Sequence, residues 1–220
     1  MAKVISEKQK ALNAALHKQN NDFGNRDDAA GLAQRLGIAL VRMHEMGTCN
    51  SVLDYGTGKG KLVTRLKKEL PNSIKVDGYD PAVEAYSKKP TEAVDILTCL
   101  DVLEHIEMSS IDAVLMDIKQ LTNKFCYLVI DLQPAVKQLA DGRNAHILLA
   151  PSDWWISKLS QLFTGVCAFP LYHKVGLPQK LAIACTNHNS SLQDMYLFLI
   201  KLRVFENKLT GGVLHSVDNQ

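Results

Sequence analysis

The chain has 220 residues, of which 46% are hydrophobic and 22% are charged, and its formal net charge is +2. A chain of this length fits one large domain, because a single core can grow to roughly 250 residues before chains tend to divide. The composition excludes a fibrous repeat and wholesale disorder, and the balanced charge gives no indication of a nucleic-acid or anionic-membrane partner.

The first 19 residues and the cysteines bear on where the protein works. Residues 1–19 alternate Lys, Glu and Gln with apolar side chains and lack the continuous apolar core of a signal peptide. No apolar run reaches the roughly 18 residues of a membrane-spanning helix. We therefore expect a cytoplasmic protein without a membrane partner, as a monomer or a homodimer. The five cysteines are widely spaced without metal-ligand spacing, so we expect neither a disulfide framework nor a metal.

Two helices are predicted ahead of the first strand. The apolar positions of residues 3–18 have helical spacing, and a second helical pattern runs over 28–46 and ends at Gly47. After Gly47 the chain alternates short apolar runs with helical stretches, which is typical of a parallel sheet covered on both faces.

The later elements follow from the same patterns. Strands are predicted at 51–55, 74–79, 95–100 and 125–130, followed by an antiparallel hairpin of 166–172 and 180–186. Helices are predicted at 61–70 and 109–122, from an N-cap at Ser152, and at 192–208, with a short helix or turn at 81–87 and a frayed tail at 211–220.

The most informative segment is the loop after the first predicted strand, Ser51-Val-Leu-Asp-Tyr-Gly-Thr-Gly-Lys-Gly60. Glycines at a strand-to-helix turn accept positive φ angles and let a ligand lie against the backbone. Asp54 stands two residues before the first glycine, and the glycine spacing departs from G-x-G-x-x-G. A carboxylate in this turn would repel the pyrophosphate of a dinucleotide, whereas it suits a ligand with an amino group and positive charge.

A second acid follows the second predicted strand. Asp80 lies 20 residues after Gly60, where a carboxylate can accept hydrogen bonds from both hydroxyls of a ribose. An Asp-Pro turn after a strand is common for structural reasons alone, so Asp80 is informative chiefly together with the glycine loop. The two features together indicate S-adenosylmethionine, which has an amino group, a positive charge and a ribose.

Three motifs resemble the class I S-adenosylmethionine-dependent methyltransferases: Val52-Leu-Asp-Tyr-Gly-Thr-Gly-Lys-Gly60, Asp80-Pro81 and Asp101-Val-Leu-Glu-His-Ile106. The resemblance covers roughly residues 50–165. It implies a doubly wound, Rossmann-like α/β fold whose mostly parallel, seven-stranded sheet has an antiparallel last strand, here preceded by N-terminal helices. Only 14 residues separate Asp80 from Asp95, so we expect the third strand of that family to be absent or vestigial.

The resemblance also implies the cofactor contacts and the organisation of the domain. The glycine loop contacts the methionine part of the cofactor, Asp80 contacts the ribose, and we expect the adenine near Pro81 and residues 98–100. We expect one domain with an N-terminal helical segment (1–47), a cofactor-binding core (48–190) and a C-terminal helix and tail (191–220). The predicted cofactor-binding residues are Asp54, Tyr55, Gly56, Thr57, Gly58, Gly60, Asp80, Pro81, Cys99, Leu100 and Asp101.

The predicted catalytic residues follow strand 95–100, at the carboxyl edge where ligands bind in open α/β folds. Methyl transfer is an in-line displacement, so a base is needed only when the acceptor must lose a proton. His105 titrates near neutrality and is the predicted base, with His146 as the alternative and Asp101 beside them. Structural roles for both histidines, and a helix-orienting role for Asp101 and Glu104, remain open.

The predicted acceptor pocket lies in the stretch 139–155, which is dense in polar and aromatic side chains. Arg143 is suited to binding a carboxylate or phosphate, and Trp154 or Trp155 to stacking on a ring or sugar. The two tryptophans also fit a helix on which one faces the core and the other the surface.

The sequence favours methyl transfer to an oxygen or nitrogen of a small-molecule or sugar-like acceptor, because few residues lie outside the predicted core. Methylation of RNA or protein remains open, as does a non-catalytic protein that binds S-adenosylmethionine. An NAD-linked oxidoreductase is disfavoured by Asp54 and by the glycine spacing.

Overall fold

The computed structural model describes residues 4–24, 35–171 and 179–202, together with the backbone of 208–209 and 212–213. The helices of these ranges are α1 (Glu7–Gln19), α2 (Leu36–Glu45), α3 (Lys61–Glu69), α4 (Ile111–Gln120), α5 (Ser152–Ser160) and α6 (Leu192–Leu202). The strands are β1 (Ser51–Tyr55), β2 (Lys75–Tyr79), β3 (Val94–Leu100), β4 (Thr122–Asp131), β5 (Gly165–Leu171), β6 (Lys180–Thr186), β7 (Lys208–Leu209) and β8 (Gly212–Val213).

The central sheet has the strand order β2-β1-β3-β4-β6-β5. β1 to β4 are parallel, whereas β6 runs antiparallel to both β4 and β5, which confirms the predicted late hairpin. The predicted count of seven strands is wrong, because the sheet has six strands within the described residues. Residues 81–93 contain a short 3-10 turn (Glu84–Tyr86) where a further strand and helix would lie, so the expected loss of the third strand is confirmed.

Apolar side chains pack on both faces of this sheet. Successive residues of a strand point to opposite faces. In β4, Phe125, Tyr127 and Val129 accordingly belong to a core shared with α2, α3 and α6, while Cys126, Leu128 and Ile130 belong to one shared with α4 and α5. Helices on both faces of a mostly parallel sheet define the predicted doubly wound α/β class.

Several element ends differ from the predictions. Helix α5 begins at Ser152, with Pro151 at the N-cap position, and Ser152 Oγ makes no hydrogen bond, so the predicted Ser152 cap is wrong. The first helix, predicted over 3–18, is observed as Glu7–Gln19. The predicted positions 3, 28–34, 172, 203–207, 211 and 214–220 lie outside the described residues. Lys208–Leu209 pairs with Gly212–Val213, where a helix end and a tail were predicted.

Strand order also fixes where a ligand can bind. β1 lies between β2 and β3 in the sheet. The chain therefore goes from β1 to the strand on one side and then crosses to the strand on the other side of β1. In open α/β sheets a crevice forms outside the carboxyl ends of the strands at such a switch point. Within the ranges given above, no helix is both long and apolar enough to cross a membrane.

Candidate active site

The loop after β1 lies across the carboxyl end of β2. The backbone N–H groups of Gly56 and Thr57 both donate to the Tyr79 carbonyl, at 2.7 and 3.1 Å. Gly60 then takes the N-cap position of α3, so loop and helix start are continuous. This arrangement holds the glycine loop close to Asp80, which directly follows β2.

Two glycines of the loop are required by close neighbours. Gly56 has a φ of 77°, and a Cβ there would lie 2.4 Å from a methyl group of Val102. Gly58 has a φ of 57°, and a Cβ there would lie 2.5 Å from the Gly24 carbonyl oxygen. A Cβ at either position would therefore clash with its neighbour. At Gly58 the absence of a side chain leaves room for the backbone of Gly24, in the chain that follows α1.

Asp80 is held rigidly at the end of β2. Its Oδ2 accepts from the Gly58 N–H at 3.0 Å, and its Oδ1 accepts from the Ala82 N–H at 2.9 Å. His17 Nε2 lies 3.9 Å from the same Oδ2. The carboxylate is 8% exposed and forms part of a cavity wall, so it can meet a bound ligand without first changing position.

This first cavity, which we call the cofactor cavity, encloses about 610 Å³ counted out to its mouth. One wall is formed by the ends of β1, β2 and β3, and it includes the predicted residues Tyr55, Gly56, Asp80, Pro81 and Asp101. The opposite wall comes from the N-terminal segment and includes Asn13, His17, Phe23 and Gly24.

Residues 4–24, which we call the N-terminal segment, are anchored directly to the glycine loop. The Lys59 N–H donates to the Gly24 carbonyl at 3.0 Å. Lys59 Nζ donates to the carbonyls of Asn20 and Asn21 at 2.7 and 3.2 Å. Sequence reasoning predicted a helix here but not this contact, because a side chain binding backbone carbonyls leaves no pattern in the sequence.

A second cavity adjoins the first and shares Phe23, Gly24, Asp101 and His105 with it. It encloses about 830 Å³ counted out to its mouth, and we call it the acceptor cavity. Its charged and titratable lining residues are Asp22, Asp101, His105, Asp131, Lys137, His146 and Lys180. The cofactor cavity therefore opens towards a polar chamber formed by later parts of the chain.

Lys180 joins two acids of the acceptor cavity. Its Nζ lies 2.7 Å from Asp101 Oδ2 and 3.3 Å from Asp131 Oδ2, with 12% of its side chain exposed. Burial alone would lower the pKa of Lys180, but Asp101 and Asp131 outweigh burial and raise the pKa above the ordinary lysine value. Asp101 has a φ of 51°, a conformation that only glycines otherwise share in the described ranges.

The two predicted histidines lie together, although 40 residues separate them in the sequence. His105 Nδ1 lies 2.8 Å from the Ala145 carbonyl oxygen, and His146 Nδ1 lies 2.6 Å from the Gln133 carbonyl oxygen. The ring centroids are 4.9 Å apart. A carbonyl can only accept, so each Nδ1 carries the proton and each Nε2 of a neutral ring carries the lone pair.

Glu104 connects this pair to the sheet. Its side chain is fully buried, and its Oε1 accepts from the Asp131 N–H at 3.2 Å. The Glu104 carbonyl accepts from the Leu148 N–H at 3.0 Å, which ties the turn after β3 to the loop that carries His146. Glu104 thus bridges two loops, and α4 begins only at Ile111, so Glu104 does not cap that helix.

The predicted acceptor residues Arg143, Trp154 and Trp155 do not line either cavity. The Trp155 side chain of α5 is fully buried in the core. Trp154 packs against that core, and Lys158 Nζ lies over its ring. Arg143 binds the Asp141 carboxylate and the Gln9 side-chain oxygen. Trp155 has no exposed surface in this structure, so its packing does not support the predicted role in acceptor binding.

Six predicted cofactor residues lie behind the cavity wall rather than on it: Asp54, Thr57, Gly58, Gly60, Cys99 and Leu100. Asp54 is 2% exposed, and its Oδ1 accepts from the Thr98 hydroxyl at 3.0 Å. Tyr55 contributes to the wall, but its hydroxyl points away and donates to Asp117 Oδ2 at 3.0 Å. Burial, together with the Asp117 carboxylate, raises the pKa of Tyr55 far above its ordinary value.

The fold and this edge of the sheet define the class of protein. A glycine loop in left-handed conformation, a rigid carboxylate after the second strand and an adjoining polar cavity fit a nucleoside cofactor and a second reactant side by side. The family model described as "Methyltransferase domain" matches residues 7–165. The chain belongs to that family and is a class I S-adenosylmethionine-dependent methyltransferase, as the sequence motifs predicted.

Solved structures share the fold. The plantazolicin methyltransferase BpumL, solved with a pentazolic desmethylPZN analog and SAH, has a TM-score of 0.55 at 12% identity over 83% of this chain and 97% of its own. The 1,6-didemethyltoxoflavin-N1-methyltransferase of Burkholderia thailandensis has a TM-score of 0.52 at 16% identity over 86% and 93%. The DhpI-SAM-HEP complex has a TM-score of 0.52 at 16% identity over 84% and 99%. None of the curated proteins matches this sequence.

Proposed function

We infer that the protein transfers the methyl group of S-adenosylmethionine to an oxygen or nitrogen atom of a polar small molecule. The observation that carries this proposal is the pair of joined cavities, one beside the glycine loop and Asp80 and the other beside two histidines. Asp101 and His105 line both, so the methyl group and the acceptor would meet next to these two residues.

The cofactor cavity suits S-adenosylmethionine in its chemistry. Asp80 presents a buried, prealigned carboxylate for the ribose hydroxyls, with Pro81 beside it for the adenine. Asp54 adds negative charge beneath the glycine loop, which favours a cationic ligand over a pyrophosphate. When bound, the cofactor supplies an electrophilic methyl group on a positively charged sulfur.

The acceptor cavity favours a neutral, hydroxyl-bearing or amine-bearing molecule. Its wall carries three carboxylates against two ammonium groups, namely Asp22, Asp101 and Asp131 against Lys137 and Lys180. Lys137 is paired with Asp22 at 2.6 Å, and Lys180 with both other acids. An RNA acceptor would need unpaired positive charge for its phosphates, so this wall supports a small polar acceptor instead.

The residues of this wall would prepare the acceptor for attack. A hydroxyl must lose its proton as its oxygen attacks the methyl carbon, and His105 and His146 both present lone pairs on Nε2. Asp101 and Asp131, held by Lys180, supply acceptors for further hydroxyls of the substrate. Alignment of the acceptor with the methyl group is then the main contribution of the protein.

The experiment has two stages. Calorimetry with S-adenosylmethionine, S-adenosylhomocysteine and NAD should show binding of the first two and none of NAD. Methyl transfer from labelled cofactor is then measured over a panel of polyols, phenols and amines, with an RNA pool as the competing acceptor class. Absence of binding by both sulfur compounds would exclude the proposed activity, and labelling of RNA alone would exclude the small-molecule acceptor.

A further inference from the structure

Glu104, His105 and His146 form a compact group of donors at the boundary of the two cavities. One possible ligand atom of each lies within 4.8 Å of the others. Glu104 and His105 are buried and come from the turn after β3, whereas His146 is partly exposed and comes from the loop after β4. We propose that these three side chains bind a divalent transition-metal ion, which in turn binds the acceptor.

The orientation of both imidazoles supports this proposal. In metal sites the ligating histidine characteristically donates its other ring N–H to a backbone carbonyl or a carboxylate, which fixes the tautomer and the ring. Here Ala145 and Gln133 supply those carbonyls to Nδ1 of His105 and His146. The nitrogens that carry the lone pairs are then Nε2 of each ring.

The carboxylate is oriented in the same way. Ligating carboxylates are themselves held by hydrogen bonds, and Glu104 Oε1 accepts from the Asp131 N–H. His105, Glu104 and the loop bearing His146 are joined through the Leu148 N–H and the Ala145 carbonyl, so the three donors lie on connected backbone. Zinc ligands at bond lengths near 2.1 Å are about 3.4 Å apart, so binding requires side-chain shifts of roughly 1 Å.

The donor set selects the kind of ion. Two neutral imidazoles and one carboxylate suit Zn²⁺, Mn²⁺ or Fe²⁺, whereas Mg²⁺ and Ca²⁺ prefer oxygen ligands throughout. Three protein ligands leave positions open for an exogenous oxygen, as in catalytic rather than structural sites. The opening faces the acceptor cavity, because both His105 and His146 line it.

The position of the ion assigns it a role, and this role rests on the proposed function. An acceptor hydroxyl bound to the ion has a lowered pKa and releases its proton to solvent water. This step replaces direct proton transfer to His105 or His146, because their Nε2 atoms then bind the ion. Its oxygen then forms a bond to the methyl carbon, the carbon–sulfur bond breaks, and the electron pair stays on sulfur. The products are the methyl ether and S-adenosylhomocysteine, and the ion is neither oxidised nor reduced.

The test begins with the full chain after chelator treatment. Titration with Zn²⁺ should show one ion per chain, and Co²⁺ should give the absorption of a site with imidazole ligands. Glu104→Gln and His146→Gln should each weaken Zn²⁺ binding at least about tenfold. The matched control is His44→Gln, since His44 Nδ1 also meets a backbone carbonyl, at Cys49, but lies apart from this group.

The variants must first show the circular dichroism of the unaltered protein, and His146→Gln is the safer of the two because His146 is partly exposed. Zn²⁺ binding equal in the unaltered protein and in both variants would overturn the proposal. S-adenosylhomocysteine is titrated into the same metal-free protein. If S-adenosylhomocysteine binds but neither Zn²⁺ nor Co²⁺ binds, the metal site alone is refuted. If the ions bind but S-adenosylhomocysteine does not, the proposed function is refuted.

Discussion

The two halves of the site are built in different ways. In the cofactor half, hydrogen bonds within one stretch, residues 51–82, join β1, the glycine loop and the turn after β2, and the N-terminal segment and the turn after β3 complete the lining. The acceptor half combines the turn after β3, the loop after β4 and the start of β6. Lys180 forms ion pairs with both Asp101 and Asp131, which are far apart in the sequence.

The cofactor half therefore contains a motif that is local in the sequence, whereas the acceptor half is assembled by tertiary contacts. A cofactor common to a family can be held by a local motif, because the ligand does not change between members. An acceptor site built from three separate segments can change one segment at a time while the sheet beneath it stays intact. Variants of the two halves should therefore affect different measurements, and the following predictions run from the largest expected effect to the smallest.

Replacing His105 tests whether the acceptor half acts on chemistry alone. His105→Ala should lower kcat by about 10²–10⁴-fold, because the acceptor loses the group that assists its deprotonation. The affinity for S-adenosylhomocysteine should stay near normal. Steady-state rates and calorimetry measure the two effects, with His44→Ala as the control for loss of a histidine. An unchanged kcat at saturating acceptor would remove His105 from the mechanism.

Replacing Lys180 tests whether the acceptor half depends on its long-range ion pairs. Lys180→Met leaves Asp101 and Asp131 without their cation, and should lower the free energy of unfolding by about 3 kcal/mol at neutral pH. Because the pKa of Lys180 is raised in the fold, its stabilisation is complete below the unfolded pKa near 10.4 and is lost as the pH rises through the folded value.

Urea unfolding of both proteins between pH 7 and 11 checks this prediction. The control is Lys158→Met, because its partner Asp112 is largely exposed and the pair should contribute less than about 1 kcal/mol. The difference attributable to Lys180 should be constant to about pH 10 and then shrink. A difference that shrinks already between pH 7 and 9 would mean that Lys180 does not have a raised pKa.

Replacing Asp80 tests the cofactor half. Asp80→Ala should weaken binding of S-adenosylhomocysteine by about 1–3 kcal/mol, because the hydrogen bonds to the ribose are lost. The acceptor KM should change little. The control is Asp77→Ala in β2, because the Asp77 side chain is half exposed and pairs with Lys75. Equal affinity of the Asp80 variant and the unaltered protein in calorimetry would refute the ribose role.

Replacing the Tyr55 hydroxyl tests a residue of the cofactor wall that points into the core. Tyr55→Phe removes the hydrogen bond to Asp117, which keeps its ion pair with Lys89 at 2.7 Å. The free energy of unfolding should fall by about 1 kcal/mol, and kinetic constants should not change. A large rise in cofactor Kd, measured by calorimetry, would instead show that the hydroxyl reaches the ligand.

The sequence predicted the cofactor correctly because the signals for it are local. Glycine positions, strand ends and the acid after β2 all lie within one stretch, and the short segment after Asp80 correctly indicated the missing third strand. Asp54 shows the limit of such reasoning. Strand alternation and the short loop do not reveal that its carboxylate lies below the wall, bound to Thr98 on the neighbouring strand.

The acceptor half was only partly predictable. His105 and His146 were found from residue chemistry, but neither their contact nor the bridging by Glu104 has a pattern in the sequence. Lys180 begins β6, where it reads as an ordinary polar strand end. Trp155 shows the same difficulty, because an aromatic residue near polar groups fits a binding site and a buried helix face equally well, and its packing in the core favours the helix face.

The contact between the N-terminal segment and the glycine loop has a kinetic consequence. A nucleoside bound beside Asp80 and Phe23 would contact both parts of the chain, and withdrawal of the N-terminal segment would ease its release. The hydrogen bonds of Lys59 to Asn20, Asn21 and Gly24 resist that withdrawal. We therefore expect the residence time of bound S-adenosylhomocysteine to depend on these hydrogen bonds.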